Sequence, residues 1–199
     1  MLKELADDVA VALAANDIIS IDEMDAYRYG LELLIPKVIL YAAILVISLI
    51  TNTFILSALF VVMFMGIRRY AGGFHCQTAE MCLCISLLIY LLVIFGFNFS
   101  SEVYIDVYGI SSVVSAIMII IFSPVEDKNR PLDDVEKKQY RLKSLIATGL
   151  LSITFALSFY LKIKMLSYIS ACSLTANAVL IILAVGRCKY EKFNIKSCG

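Results

Sequence analysis

The chain has 199 residues, 61% of them apolar, and its 17 basic and 17 acidic side chains give a formal charge of zero. An ordinary soluble protein is about 45–50% apolar, and a mean hydropathy of +0.87 is more than a core of this size can hide, so lipid must cover the outside. Six cysteines without a CxxC pair exclude the disulfide framework of a small secreted domain.

Residues 1–34 read as two amphipathic helices. Leu2, Leu5, Val9 and Leu13 recur at helical spacing, as do Ile21, Met24, Tyr27, Leu31 and Leu34. Ser20 and Glu23 fit a capping box at the start of the second. The segment up to residue 26 is acidic, with Lys3 as its one basic residue, and lacks the apolar stretch of a secretory signal. Internal spans are therefore expected to anchor the chain, with this helix pair at the membrane surface.

Apolar runs follow at 35–50, 52–67, 81–97, 103–122, 144–161 and 165–186. A span needs roughly 20 residues, with about 17 as the lower limit. Six spans are predicted, the first two joined by a tight hairpin with Asn52 at its tip. The fold class is thus all-α and polytopic, with a single integral-membrane domain over 1–199. Helices 1–34 precede a bundle over 35–186, polar loops lie at 68–80 and 123–143, and a tail covers 187–199. Placing the N-terminus in the cytoplasm puts fifteen of the seventeen basic residues there, and only Lys162 and Lys164 outside. Both termini and the 68–80 loop are then cytoplasmic.

That loop holds the only histidine. Arg68-Arg69-Tyr70-Ala71-Gly72-Gly73-Phe74-His75 is followed seven residues later by Cys82. An imidazole can take the thiol proton and later deliver it to a leaving amine. Arg68 and Arg69 add positive potential that favours a thiolate or an oxyanion, and Gly72-Gly73 frees the backbone for a turn. In one straight helix the two alpha carbons would stand about 10.5 Å apart along the axis, too far for a hydrogen bond. A working pair therefore needs His75 in a loop that folds back and Cys82 near the first turn of the next helix, where the dipole favours a thiolate. Cys76 and Cys84 remain rival nucleophiles. Gln77, Glu80 and Ser86 are the local residues able to orient the pair. A metal held by His75, Cys76, Cys82 and Cys84 matches no usual zinc spacing, and no cofactor is expected.

The second polar segment runs from Ser123-Pro124 through Asn129-Arg130-Pro131-Leu132 to Lys143. Pro124 and Pro131 break helix, and a helix with an acidic first turn and a basic end can begin at Asp133. Lys128, Arg130, Lys137 and Lys138 make a basic cluster suited to an acidic peptide. The competing reading of the whole chain is a non-enzymatic membrane scaffold or a transporter subunit for a small peptide.

Arg68-x-Tyr70-x-Gly72-Gly73-Phe74-His75 with Cys82, and Ser123-Pro124 with Asn129-Arg130-Pro131-Leu132, together resemble the signature of the AgrB (accessory gene regulator protein B) family. The likeness extends over nearly the whole chain. It implies a membrane cysteine endopeptidase of Gram-positive quorum sensing, which trims an AgrD-like precursor peptide and promotes its cyclisation. It also implies His75 as base, Cys82 as nucleophile, Arg68 and Gly73 as supporting positions, and a homodimer in the cell membrane. No nucleic-acid partner is expected.

Overall fold

The computed structural model describes residues 2–16, 18–72, 78–99, 105–125 and 133–197, without the side chains of 98, 99, 105, 106 and 188–197. Among them are seven α-helices and a short 3₁₀ turn at Ile21–Glu23. The helices are α1 (Leu2–Ala15), α2 (Met24–Ile50), α3 (Phe54–Ala71), α4 (Ala79–Phe99), α5 (Ile105–Phe122), α6 (Asp134–Tyr160) and α7 (Lys164–Ser197). Helices α2, α3, α4, α6 and α7 are long and apolar enough to cross a membrane, while the apolar part of α5, Val107–Phe122, is shorter. Each of the six expected apolar runs corresponds to one helix, and the all-α, polytopic expectation holds.

Four boundaries differ from expectation, the first being the 68–80 loop: Arg68 to Ala71 extend α3, where nothing before Gly72 stops the helix, and Ala79 and Glu80 already belong to α4. The second amphipathic helix and the first span are one helix, α2, which passes through Pro36. A proline removes one backbone bond and crowds the carbonyl four residues back, but that cost is local, and apolar residues on both sides favour keeping the helix. The helix expected from Asp133 does not end before the span: α6 carries the basic residues from 137 to 143 straight into it, and Asp133 caps its start by accepting from the Asp134 N–H at 2.8 Å. Helix α7 runs on through the predicted tail to Ser197, across a stretch from 187 that contains neither Gly nor Pro.

Helices α2 and α6 end in the same turn. After α2, Asn52 has φ 54. The Thr53 N–H reaches the Ser48 carbonyl at 2.9 Å, and the Asn52 N–H reaches that of Leu49 at 3.4 Å. After α6, Lys162 has φ 56, with Ile163 bonded to Ser158 at 2.9 Å and Lys162 to Phe159 at 3.2 Å. Both are Schellman motifs, which satisfy the last carbonyls of a helix before the chain turns. The expected turn at Asn52 is therefore present.

The chain divides into two compact units. One comprises Met1–Phe54 with Cys76–Leu91, the other Ile55–His75 with Leu92–Gly199. In the first, α1 lies antiparallel to the start of α2. Asp7 pairs with Arg28 at 2.6 Å and Lys3 with Glu32 at 4.0 Å, four residues forward on one helix matching four back on the other. Leu2, Ala6 and Ala10 are buried on the face this creates. The hydroxyl of buried Tyr90 on α4 donates to the Ile44 carbonyl of α2 at 3.4 Å.

In the second unit α7 is central, with 56% of its span buried against 17–33% for the other spans. Asn177 Nδ2 donates to the Phe64 carbonyl of α3 at 3.2 Å, and the Tyr168 hydroxyl to the Val93 carbonyl of α4 at 2.9 Å. Ser167 donates to Ser158 of α6 at 3.1 Å, and Ser115 of α5 to Thr175 at 3.4 Å. Between these bonds Ile67, Ala71, Ile119, Leu151, Leu174, Ala178 and Ile181 form a continuous core. Val62, Ile110 and Ile153 are 65–70% exposed, as side chains facing lipid should be. Small and hydroxyl residues on α7 allow this packing where helices gain little from hydrophobicity alone.

Candidate active site

Cys82 lies on the first turn of α4. Helix α4 opens at Ala79, with Thr78 as its cap: the Thr78 hydroxyl accepts from the Met81 N–H at 3.3 Å. The Cys82 N–H then bonds to the Thr78 carbonyl at 3.2 Å, closing the first turn. Residues 72–90 are not one straight helix, since Gly72 has φ 73 and α4 begins seven residues later. Cys82 is a free, half-buried thiol, while Cys84 is free and exposed. Two residues along a helix rotate the side chain by about 200°, so the two thiols face opposite ways.

Two of the local candidates for orienting the pair, Glu80 and Ser86, lie among the described residues. Ser86 donates its hydroxyl to the Cys82 backbone carbonyl at 2.8 Å, not to the thiol. Glu80 accepts from the Leu2 N–H at 3.3 Å. Gly73, His75, Cys76 and Gln77 lie outside the described residues, as do Lys128 and Arg130.

In the second unit the two polar motifs meet. Arg68 reaches forward past the end of α3 and donates to the Gly72 carbonyl at 3.1 Å, a cation placed where the helix dipole favours one. Gly72 forms a parallel bridge with Val125, whose N–H donates to the Ala71 carbonyl at 3.0 Å. A Cβ on Gly72 would overlap the Val125 carbonyl oxygen, so both the left-handed backbone and the close approach require glycine. Just before the cis Ser123–Pro124 bond, Ser123 pairs its hydroxyl with that of Ser144 on α6 at 2.6 Å. Both serines are buried. The Tyr70 ring packs 6.2 Å from the Tyr140 ring, with Lys143 5.7 Å and Arg69 5.9 Å from its centroid, within cation–π range.

The end of α3, the Ser-Pro segment and the start of α6 are thus one polar assembly. Lys137 and Lys138 lie on the exposed first turns of that same α6. Sequence reasoning missed the Gly72–Val125 bridge, the Ser123–Ser144 pair and the Tyr70 stack. Gly72, Tyr70, Ser123 and Lys143 were each visible as residues, but Val125 carries no chemical signal, since only its backbone acts.

Together these features define a multi-pass α-helical membrane protein with a thiol on the first turn of one span and a polar, basic assembly at the ends of others. The chain belongs to the Accessory gene regulator B family, which it matches over residues 6–184. It is 29% identical over 156 residues to AgrB-like protein 2 of Clostridium perfringens (strain 13), covering 74% of this chain and 68% of that relative. It is 27% identical over 136 residues to an AgrB-like protein of Listeria monocytogenes (serovar 1/2a), covering 66% of each. No solved structure matches the chain. Family membership ties it to the processing of agr quorum-sensing peptides.

Proposed function

We propose that the chain is a membrane cysteine endopeptidase that removes the C-terminal part of an AgrD-type precursor and promotes closure of the remainder to a thiolactone or lactone. The observation that carries this reading is Cys82 on the capped first turn of α4, set apart from α3 by the break at Gly72. A thiol at that end of a helix is placed for nucleophilic work, and family membership supplies the class of substrate.

In the proposed reaction His75 takes the Cys82 proton and the sulfur attacks a precursor carbonyl. The peptide C–N bond breaks, the proton passes from His75 to the leaving amine, and an acyl-enzyme thioester remains. A thiol or hydroxyl of the precursor then attacks that carbonyl, giving its proton to His75, and Cys82 departs as the thiolate. One acyl bond replaces another of similar kind when the product is a thiolactone, so no nucleotide is consumed. Arg68 and Gly73 act at the supporting positions that the resemblance implies. Lys128, Arg130, Lys137 and Lys138 hold the acidic tail of the precursor. The charge asymmetry of the sequence supports cytoplasmic termini and a cytoplasmic reaction, and the Clostridium and Listeria relatives support a Gram-positive host. A homodimer follows from the resemblance.

Co-expression with the short peptide encoded beside this gene, read by mass, tests the reading. Cleavage is expected to vanish in Cys82→Ala and His75→Ala at normal membrane levels, and to persist in Cys76→Ala and Cys84→Ala. Cleavage that survives Cys82→Ala would move the scaffold reading to the front.

A further inference from the structure

The first turn of α4 carries a second engaged side chain two residues before Cys82. Glu80 Oε1 accepts from the backbone N–H of Leu2 at 3.3 Å. Leu2 opens α1, so its N–H is one of the donors a helix leaves without an internal partner. The carboxylate thus lies at the N-terminal end of α1, where the helix dipole favours negative charge, while its own residue sits in the first turn of α4. One side chain joins the starts of two helices.

Helix α1 is itself held along α2 by Asp7–Arg28 and Lys3–Glu32, and by the burial of Leu2, Ala6 and Ala10. It therefore ties α2 to the turn that carries Cys82. The link from Tyr90 to Ile44 lies two turns further along α4. Helix ends open more readily than helix centres, and a displacement of about 1 Å at a reacting group can cost about 100-fold in rate. The nucleophile's turn thus needs a holder at its own level.

We propose that Glu80 is a positioning residue: through the start of α1 it holds the first turn of α4, and so the Cys82 thiol, in the orientation the reaction uses. Helix α1 is then a brace for the nucleophile as well as a membrane-surface element. This rests on the reading of Cys82 as nucleophile.

The test uses full-length protein in membranes. One readout is precursor cleavage. The other, taken without precursor, is the rate of maleimide labelling of Cys82 relative to Cys84. Glu80→Ala is expected to cut cleavage about tenfold or more with little change in KM, and to alter the relative labelling of Cys82 several-fold. Glu80→Gln keeps an oxygen that can accept the Leu2 N–H and should retain more activity. Asp7→Arg, which repels Arg28 and loosens α1, should reproduce the Glu80→Ala defect, add little to it, and be rescued by Asp7→Arg/Arg28→Asp. Unchanged labelling and cleavage in Glu80→Ala would overturn the proposal. So would fully additive losses in Glu80→Ala/Asp7→Arg, which would mean that Glu80 does not act through α1. Labelling needs no catalysis, so the brace is tested even if Cys82→Ala still cleaves and the nucleophile reading fails.

Discussion

At Gly72 two constraints coincide: a left-handed backbone and a neighbouring carbonyl where a side chain would begin. Left-handed geometry costs a residue with a Cβ about 1–2 kcal/mol, and the overlap with Val125 adds to it. Gly72→Ala should therefore lower the melting temperature in detergent and reduce precursor cleavage together, because the strain falls three residues before His75 in the chain. Gly66, inside α3 with open space around it, gives the contrast. There alanine relieves a helix-interior glycine of about 0.5–1 kcal/mol, and Gly66→Ala should be neutral or stabilising in the same melt. Equal losses at the two positions would show that the bridge to Val125 has no special weight.

Among elements, the matched turns after α2 and α6 carry a prediction of their own. Lys162 is exposed and left-handed, at the position where helices most often use glycine. Relief of about 1–2 kcal/mol of left-handed strain outweighs about 0.5–1 kcal/mol of added chain entropy. Lys162→Gly should thus stabilise by up to about 1 kcal/mol in thermal unfolding. Asn52→Gly should give less, since asparagine tolerates this region. The pairing of Ser123 with Ser144 ties the Ser-Pro segment to α6. A double-mutant cycle with Ser123→Ala and Ser144→Ala should give a coupling near the membrane-protein average of about 0.6 kcal/mol and below about 1.7 kcal/mol. Zero coupling would mean that neighbouring packing, and not this bond, holds the segment.

For the whole molecule the distribution of charge makes the prediction. With the N-terminus in the cytoplasm, the orientation that the spacing of basic residues favours, single cysteines at Asn52 and Lys162 in a background without the native six should label from outside intact cells. A cysteine at Ser20 should not. Charge reversal at both Lys137 and Lys138 should weaken cleavage while leaving membrane insertion unchanged. Unchanged cleavage would remove these lysines from substrate binding.

The all-α, membrane-spanning character was legible because hydropathy and helical period are properties of single segments. The break before Cys82 was legible too, since Gly72 and Gly73 announce a turn. The cap at Asp133 could be read, but not that α6 would carry the basic residues without interruption into its span, because continuity depends on what packs further along. Helix α2 passing Pro36 is the same lesson.

By itself, then, the sequence determined the class of fold, the six apolar runs, the turn at Asn52 and the place of Cys82 at the start of a span. Each follows from local composition and spacing. Only the tertiary structure decided that Gly72 would lie against Val125, that α7 would be the central helix, and that Glu80 would meet Leu2. Those contacts join backbone groups and small side chains distant along the chain, and such groups carry no pattern until the fold brings them together.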